Sequence, residues 1–130
     1  MIQDERYVSL STWKKDGSRK RTPVWIALLS EGWVGFTTGE KTWKVRRIQT
    51  NPSVELQPCN SKGQLVKDSK MLSGSARVVK LDEKEYKLIK KAIRKKYGIQ
   101  DVLISFFGQF SKKYGDSCAV IISLDEDTLA

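Results

Sequence analysis

The sequence contains no histidine. Imidazole acid–base catalysis, a Ser-His-Asp triad, a Cys-His pair and every histidine-bearing zinc site are excluded with it. Cysteine is scarce: Cys59 and Cys118 lie far apart, with no C-x-x-C spacing, and cannot make a four-thiolate site in one chain. They read as small core residues in a reducing compartment. No apolar run approaches the roughly 20 residues of a membrane helix, and Met1 to Tyr7 is polar, unlike the core of a secretory signal. A cytoplasmic protein with no membrane contact is expected.

What the chain does have is charge and aromatic residues together. Its 130 residues carry 24 Lys+Arg against 15 Asp+Glu, a formal +9, with four each of Trp, Tyr and Phe spread among Val/Ile/Leu runs. That mixture argues for a folded basic domain over a disordered polyelectrolyte, and the length suits one domain, residues 1–130.

Period-two alternation in Tyr7–Trp13, an Asp16-Gly17 turn and a second run from Thr22 to Leu29 predict a β-hairpin. After Glu31-Gly32 a third strand runs from Trp33 to Thr38. Thr42 is a plausible N-cap for a short helix whose inward edge is Val45 and Ile48, and Asn51-Pro52 ends it. Strands are expected at Ser53–Gln57, Met71–Leu81 and Cys118–Ser123. Between the last two, Asp82 and Glu85 have capping-box spacing, and Tyr86, Ile89, Ile93 and Tyr97 recur with helical period up to Gly98. A second short helix is expected over Asp101–Phe110. About six strands, with helices after the third and fifth, make an α+β domain on an antiparallel barrel.

The basic residues are clustered. Lys14–Arg21 holds five with one acid, and Lys41–Arg47 holds four with none. The seven cations of the long helix read as a solvated face complementing its C-terminus. The Lys41–Arg47 cluster falls at a strand–helix junction after Thr37-Thr38-Gly39. There, free backbone N–H groups, the Thr42 hydroxyl, Lys44 and Arg47 (i and i+3 on the helix) could converge on one phosphate. An ordinary charged helix surface is the competing reading.

The run Thr38-x5-Lys44-Val45-Arg46-Arg47-Ile48-x2-Asn51-Pro52-x-Val54-x-Leu56-x-Pro58-Cys59-x3-Gly63 resembles the flavin- and deazaflavin-binding split-barrel proteins of the pyridoxamine 5'-phosphate oxidase superfamily. Val8-x-Leu10-x-Thr12, Asp16-Gly17, Thr22-Pro23-Val24-Trp25 and Lys96-Tyr97-Gly98 extend the likeness over most of the chain, and it is strongest to the branch using coenzyme F420. The resemblance implies a split-barrel homodimer with cofactors in clefts at the subunit interface. It implies that Thr38, Thr42, Lys44 and Arg47 hold the cofactor phosphate, and that Pro23, Val24, Trp25 and Thr37 line the ring system. Trp13 or the Phe106–Phe110 segment would close the cleft from the partner.

Oxidases that bind flavin mononucleotide (FMN) usually carry Ser-Arg-Lys at the phosphate helix, where this chain has Thr42-Trp43-Lys44 and an arginine one turn later, Arg47. The departure favours F420, with FMN as the alternative. The acidic end, Asp125-Glu126-Asp127, lacks the arginine/histidine segment that grips pyridoxal phosphate in true pyridoxamine phosphate oxidases. The implied function is an oxidoreductase that moves a hydride between F420 or FMN and a small molecule, with no catalytic side chain of its own. The acidic polyglutamate tail of F420 would suit the Lys14–Arg21 cluster. Two rivals remain at this point. One is a basic barrel binding single-stranded nucleic acid on Trp13, Trp25, Trp33 and Trp43; the other is a split barrel that carries a cofactor or haem without turnover.

Overall fold

A computed structural model describes residues 2–98 and 115–125. After a 3-10 turn, Ile2–Asp4, the strands are β1 (Tyr7–Trp13), β2 (Arg19–Val24), β3 (Ala27–Ser30), β4 (Trp33–Gly39), β5 (Ser53–Cys59), β6 (Leu72–Lys80) and β7 (Ser117–Leu124). Helix α1 (Trp43–Thr50) follows β4, and α2 (Lys84–Tyr97) follows β6. All pairings are antiparallel, in the order β2-β1-β5-β6-β7-β4-β3.

That order forces curvature. β2 and β3 occupy opposite edges of the sheet, yet only Trp25 and Ile26 separate them in the chain, so Val24 and Ala27 lie within roughly 10 Å. Seven strands can meet that constraint only by curling until the edges face each other, which makes a barrel with a seam between β2 and β3. The split-barrel α+β fold expected from the sequence is present, with seven strands among the described residues instead of about six.

The extra strand comes from the run Thr22–Leu29, read as one strand and in fact broken at Trp25-Ile26. The Ile26 carbonyl accepts hydrogen bonds from the Tyr97 hydroxyl (3.0 Å) and the Lys96 ammonium (2.7 Å), so the end of α2 occupies this acceptor and the chain steps across the seam. Trp25 turns outward and stacks on Tyr97, ring centroids 4.5 Å apart and 8° from parallel. Pro23, which has no N–H to give a ladder, sits in edge strand β2, where a proline is tolerated.

The barrel interior is filled by alternate residues, among them Val8, Leu10, Val34, Phe36, Val54, Leu56, Val120 and Ile122, with Ile48 of α1. The other face of β7 presents Ala119 and Ile121 to a second cluster under α2, with Val79, Tyr86, Ile89, Ile93 and Tyr97. The helical period of α2 is thus the period of its buried stripe, and β7 is covered on both sides. Gly17 (φ +87°) makes the β1–β2 turn, where the Lys14 N–H donates to the Ser18 carbonyl at 2.9 Å. Gly98 (φ +84°) closes α2 with its N–H on the Arg94 carbonyl.

Thr42 is the N-cap of α1 as expected, with its hydroxyl donating to the Gly39 carbonyl (2.9 Å) and making no side-chain cap bond. The Asp82–Glu85 box does not form: Glu83 is the N-cap of α2, and its carboxylate accepts from the Lys80 N–H (2.7 Å) and pairs with Arg77. The short helix expected over Asp101–Phe110, and with it the Phe106–Phe110 lid, lies outside the described residues. Among those described, no helix is long and apolar enough to cross a membrane.

Candidate functional site

The β1–β2 hairpin and α1 bound one face of the barrel. β1 pairs with β2 in a register that sets Leu10 opposite Thr22 and Thr12 opposite Lys20, and α1 packs across β1. The first turn of α1 therefore opens toward Lys20 and Thr22. A cleft of about 410 Å³ lies there, lined by these two residues with Thr42, Lys44 and Arg47 and by Lys41 and Trp43. Among the described residues, no carboxylate lines it.

Each cation is held differently. Arg47 donates from Nε to Thr12 Oγ1 at 2.7 Å, which fixes its guanidinium to the strand and leaves the terminal nitrogens for another acceptor. Burial lowers its basicity. Lys44 is half-buried, and burial holds its ammonium below the ordinary lysine range; the Cys118 thiol opposes that shift and Arg47 adds to it. Trp43, Lys44 and Val45 begin the helix, so their N–H groups have no partner within it. Because the Thr42 hydroxyl bonds backward to Gly39, it does not compete for those N–H groups. The arrangement can bind a dianionic phosphate by charge, by directed N–H donors and by the positive end of α1.

Thr38, near the end of β4, is outside the lining of this cleft. It is 1% exposed, its Oγ1 has no hydrogen-bond partner among the described residues, and its ladder partner is Cys118. The Cys118 thiol is pushed up to about 11, by burial first and then by Glu40, so it is a neutral thiol near pH 7. A buried hydroxyl without a partner is costly.

Of the eight residues proposed from the sequence, Thr42, Lys44 and Arg47 come together in the cleft. The other five are outside its lining. Thr38 is buried at the end of β4, Pro23 is exposed on β2, Val24 is in the barrel core (7% exposed), Trp25 is stacked under α2, and Thr37 is on the outer face of β4 opposite Ala119. Lys20, Thr22, Lys41 and Trp43 are the additions. Lys20 was visible only as part of a separate basic cluster, because just the hairpin register carries it to α1.

Residues 1–126 match the family model described as Pyridoxamine 5'-phosphate oxidase. The chain belongs to that family. Among solved structures, this pyridoxamine 5'-phosphate oxidase family member is similar to an F420 reductase (17% identity, TM-score 0.65, covering 95% of this chain and 90% of the other). It is similar to the haem storage protein HutZ from Vibrio cholerae (14%, TM-score 0.68, 96% and 85%). It also resembles a pyridoxamine 5'-phosphate oxidase-related, FMN-binding protein from Nostoc punctiforme (15%, TM-score 0.60, 91% and 70%). At these identities the likeness is one of fold. No curated protein matches the sequence.

Proposed function

We propose that the protein is an oxidoreductase that holds the phosphate of F420, with FMN as the alternative, in the cleft at the start of α1. The observation that carries the reading is the convergence of Lys44, Arg47 and the first N–H groups of α1 on a cleft with no carboxylate in its lining. The residues fit such a group: three cations besides Arg47 (Lys20, Lys41 and Lys44) and the hydroxyl of Thr22 offer more donors than the fold itself uses. When bound, the deazaflavin or flavin supplies the hydride chemistry. The chain's own residues anchor and orient: Arg47, pinned to Thr12, fixes the phosphate position, and Lys44 adds charge at the helix end.

A histidine-free protein needs no other redox or acid–base group in this reading, and the electron partner is a small molecule. Homodimerisation, with the partner closing the cleft, is part of the proposal. Exposed Leu28, Trp33 and Leu88 beside a groove between α2 and the β3–β4 hairpin support the existence of an apolar contact surface. Two buried, unpaired cysteines suit a reducing cytoplasm. Titration of the full chain with F420 and, separately, FMN, followed by cofactor fluorescence, tests the proposal. Saturable binding of either, lost in the Lys44→Ala/Arg47→Ala double variant, is expected. If neither binds, the proposal fails.

A further inference from the structure

A second, larger cavity of about 590 Å³ continues from the phosphate cleft across the β1–β2 hairpin. Arg47, Trp43 and Lys20 line both, so the two are neighbours sharing a wall. The new walls are Trp13, Lys14, Lys15 and Arg46, with Thr50. Like the first cleft, it has no carboxylate in its lining. Two of the four tryptophans therefore meet in one basic cavity, while Trp25 is taken by Tyr97 and Trp33 lies across the molecule beside α2.

The indoles are presented in a particular way. Trp43 is 69% exposed, an expensive position for an indole, and the Arg46 guanidinium lies over its ring at 4.9 Å. Trp13 carries Arg19 at 5.6 Å, and Arg19 is itself held by Glu55. Each ring is backed by a guanidinium that orients it and leaves it able to stack. Lys14, Lys15 and Lys20 supply charge between the two rings. Charge alone would suit any polyanion; exposed, arginine-backed indoles add recognition of planar rings.

We propose that this outer cavity is a nucleotide site, adjoining the cofactor cleft and sharing Lys20 and Trp43 with it, which takes two bases on Trp13 and Trp43 and the phosphates joining them on Lys14, Lys15, Lys20 and Arg46. The shared chemistry is that of a dinucleotide, whether a free molecule such as a pyridine dinucleotide or a segment of single strand. Base–indole stacking and charge-assisted phosphate contacts are the two contributions such a ligand makes, and the cavity lies in the size range of ligand sites.

Calorimetric titration of the full chain tests this, both cofactor-free and saturated with whichever of F420 or FMN binds. The probes are NADPH, a short oligothymidylate, inorganic pyrophosphate and polyglutamate. NADPH or the oligothymidylate should bind in both conditions and more tightly than the two ring-free anions, and which of the two binds identifies the source. Trp13→Ala and Trp43→Ala should each weaken that binding on the order of tenfold, and Arg46→Ala, at a residue that lines the outer cavity and not the cofactor cleft, should weaken it while leaving cofactor affinity unchanged. Lys44→Ala should do the reverse, which keeps failure of this site distinct from failure of the cofactor reading. Circular dichroism confirms that each variant is folded. The proposal is overturned if no nucleotide binds, if pyrophosphate or polyglutamate binds as tightly with the tryptophan variants unaffected, or if saturating cofactor displaces the nucleotide.

Discussion

Lys44 and Arg47 line the same cleft, yet they should separate binding from folding when replaced one at a time. The Lys44 ammonium is half-buried with no carboxylate among the lining residues, so the folded protein carries its desolvation cost until an anion arrives. Lys44→Met keeps the aliphatic stem and removes the charge. Cofactor affinity should fall about 10- to 150-fold, corresponding to the ~1.5–3 kcal/mol of a charge-assisted hydrogen bond, while the melting temperature of the cofactor-free protein holds or rises.

Arg47→Ala should lose a similar amount of binding and also lose stability. Its Nε is the donor to Thr12 Oγ1, and Thr12 is 1% exposed. A buried hydroxyl stripped of its partner costs about 1–3 kcal/mol, enough to lower the midpoint by several degrees in a domain of this size. Fluorescence titration with each cofactor and calorimetric melting of the apo variants measure both effects. The sign with pH follows from the same geometry: the protonated Lys44 binds the phosphate, so affinity falls as pH rises through its lowered pKa, and Lys44→Met lacks that component. The reasoning is refuted if Lys44→Met binds both cofactors as the wild type does, or if it melts as far below the wild type as Arg47→Ala.

Three further outcomes are expected. At Gly74, in β6, a Cβ would stand 2.6 Å from the Ser123 carbonyl oxygen of the adjacent strand, which cannot swing aside as a side chain can; Gly74→Ala should cost at least the ~1–3 kcal/mol typical of overpacking, read from urea midpoints. Both thiols are buried and raised in pKa by burial, Cys118 to about 11, so a thiol-specific chromogenic reagent near neutral pH should react with native protein no faster than the protein opens; prompt reaction of either would contradict the core placement. Burial lowers Lys96 to about 8 from 10.5: below pH 8 both folded and unfolded states are protonated and the full desolvation cost is present. Between those values the unfolded state keeps the proton that the folded state has lost, so this group's contribution to stability rises with pH, and Lys96→Met should abolish the rise in midpoint between about pH 7.5 and about 9.5.

Strand positions were legible because the barrel interior takes alternate apolar side chains, Val8 and Leu10 with Ser9 and Ser11 on the other face of β1, and Val54 and Leu56 in β5, which writes period two into Tyr7–Trp13 and Ser53–Cys59. The long helix was legible for the same reason at period 3.6, and its end was marked by Gly98. The break at Trp25-Ile26 was not, because its cause is remote: the Ile26 carbonyl is claimed by Lys96 and Tyr97, some seventy residues on. The cleft was half legible. Thr42, Lys44 and Arg47 are neighbours in sequence and fall together by helical geometry, whereas Lys20, Thr22 and the exposed face of Trp43 join them only through strand register and the path of α1. The Asp82–Glu85 box did not form because side-chain spacing gives only the opportunity for a bond, and the Lys80 N–H lay within reach of Glu83.

β7 sits between β6 and β4 with both faces covered, although it is the last strand described in chain order. Before residues 117–124 leave the ribosome, the growing chain can assemble β2-β1-β5-β6 as one open sheet and β3-β4 as a hairpin, with nothing to join them. The nascent protein thus holds two unpaired strand edges, on β6 and β4, until residues 117–124 emerge, the condition in which a chain is most exposed to pairing with a neighbour. Closure is a single late insertion that buries two hydrophobic faces at once. Speed of translation and chaperone occupancy up to the emergence of residues 117–124, more than the intrinsic strength of the early hairpins, should then decide how much of this protein a cell recovers in folded form.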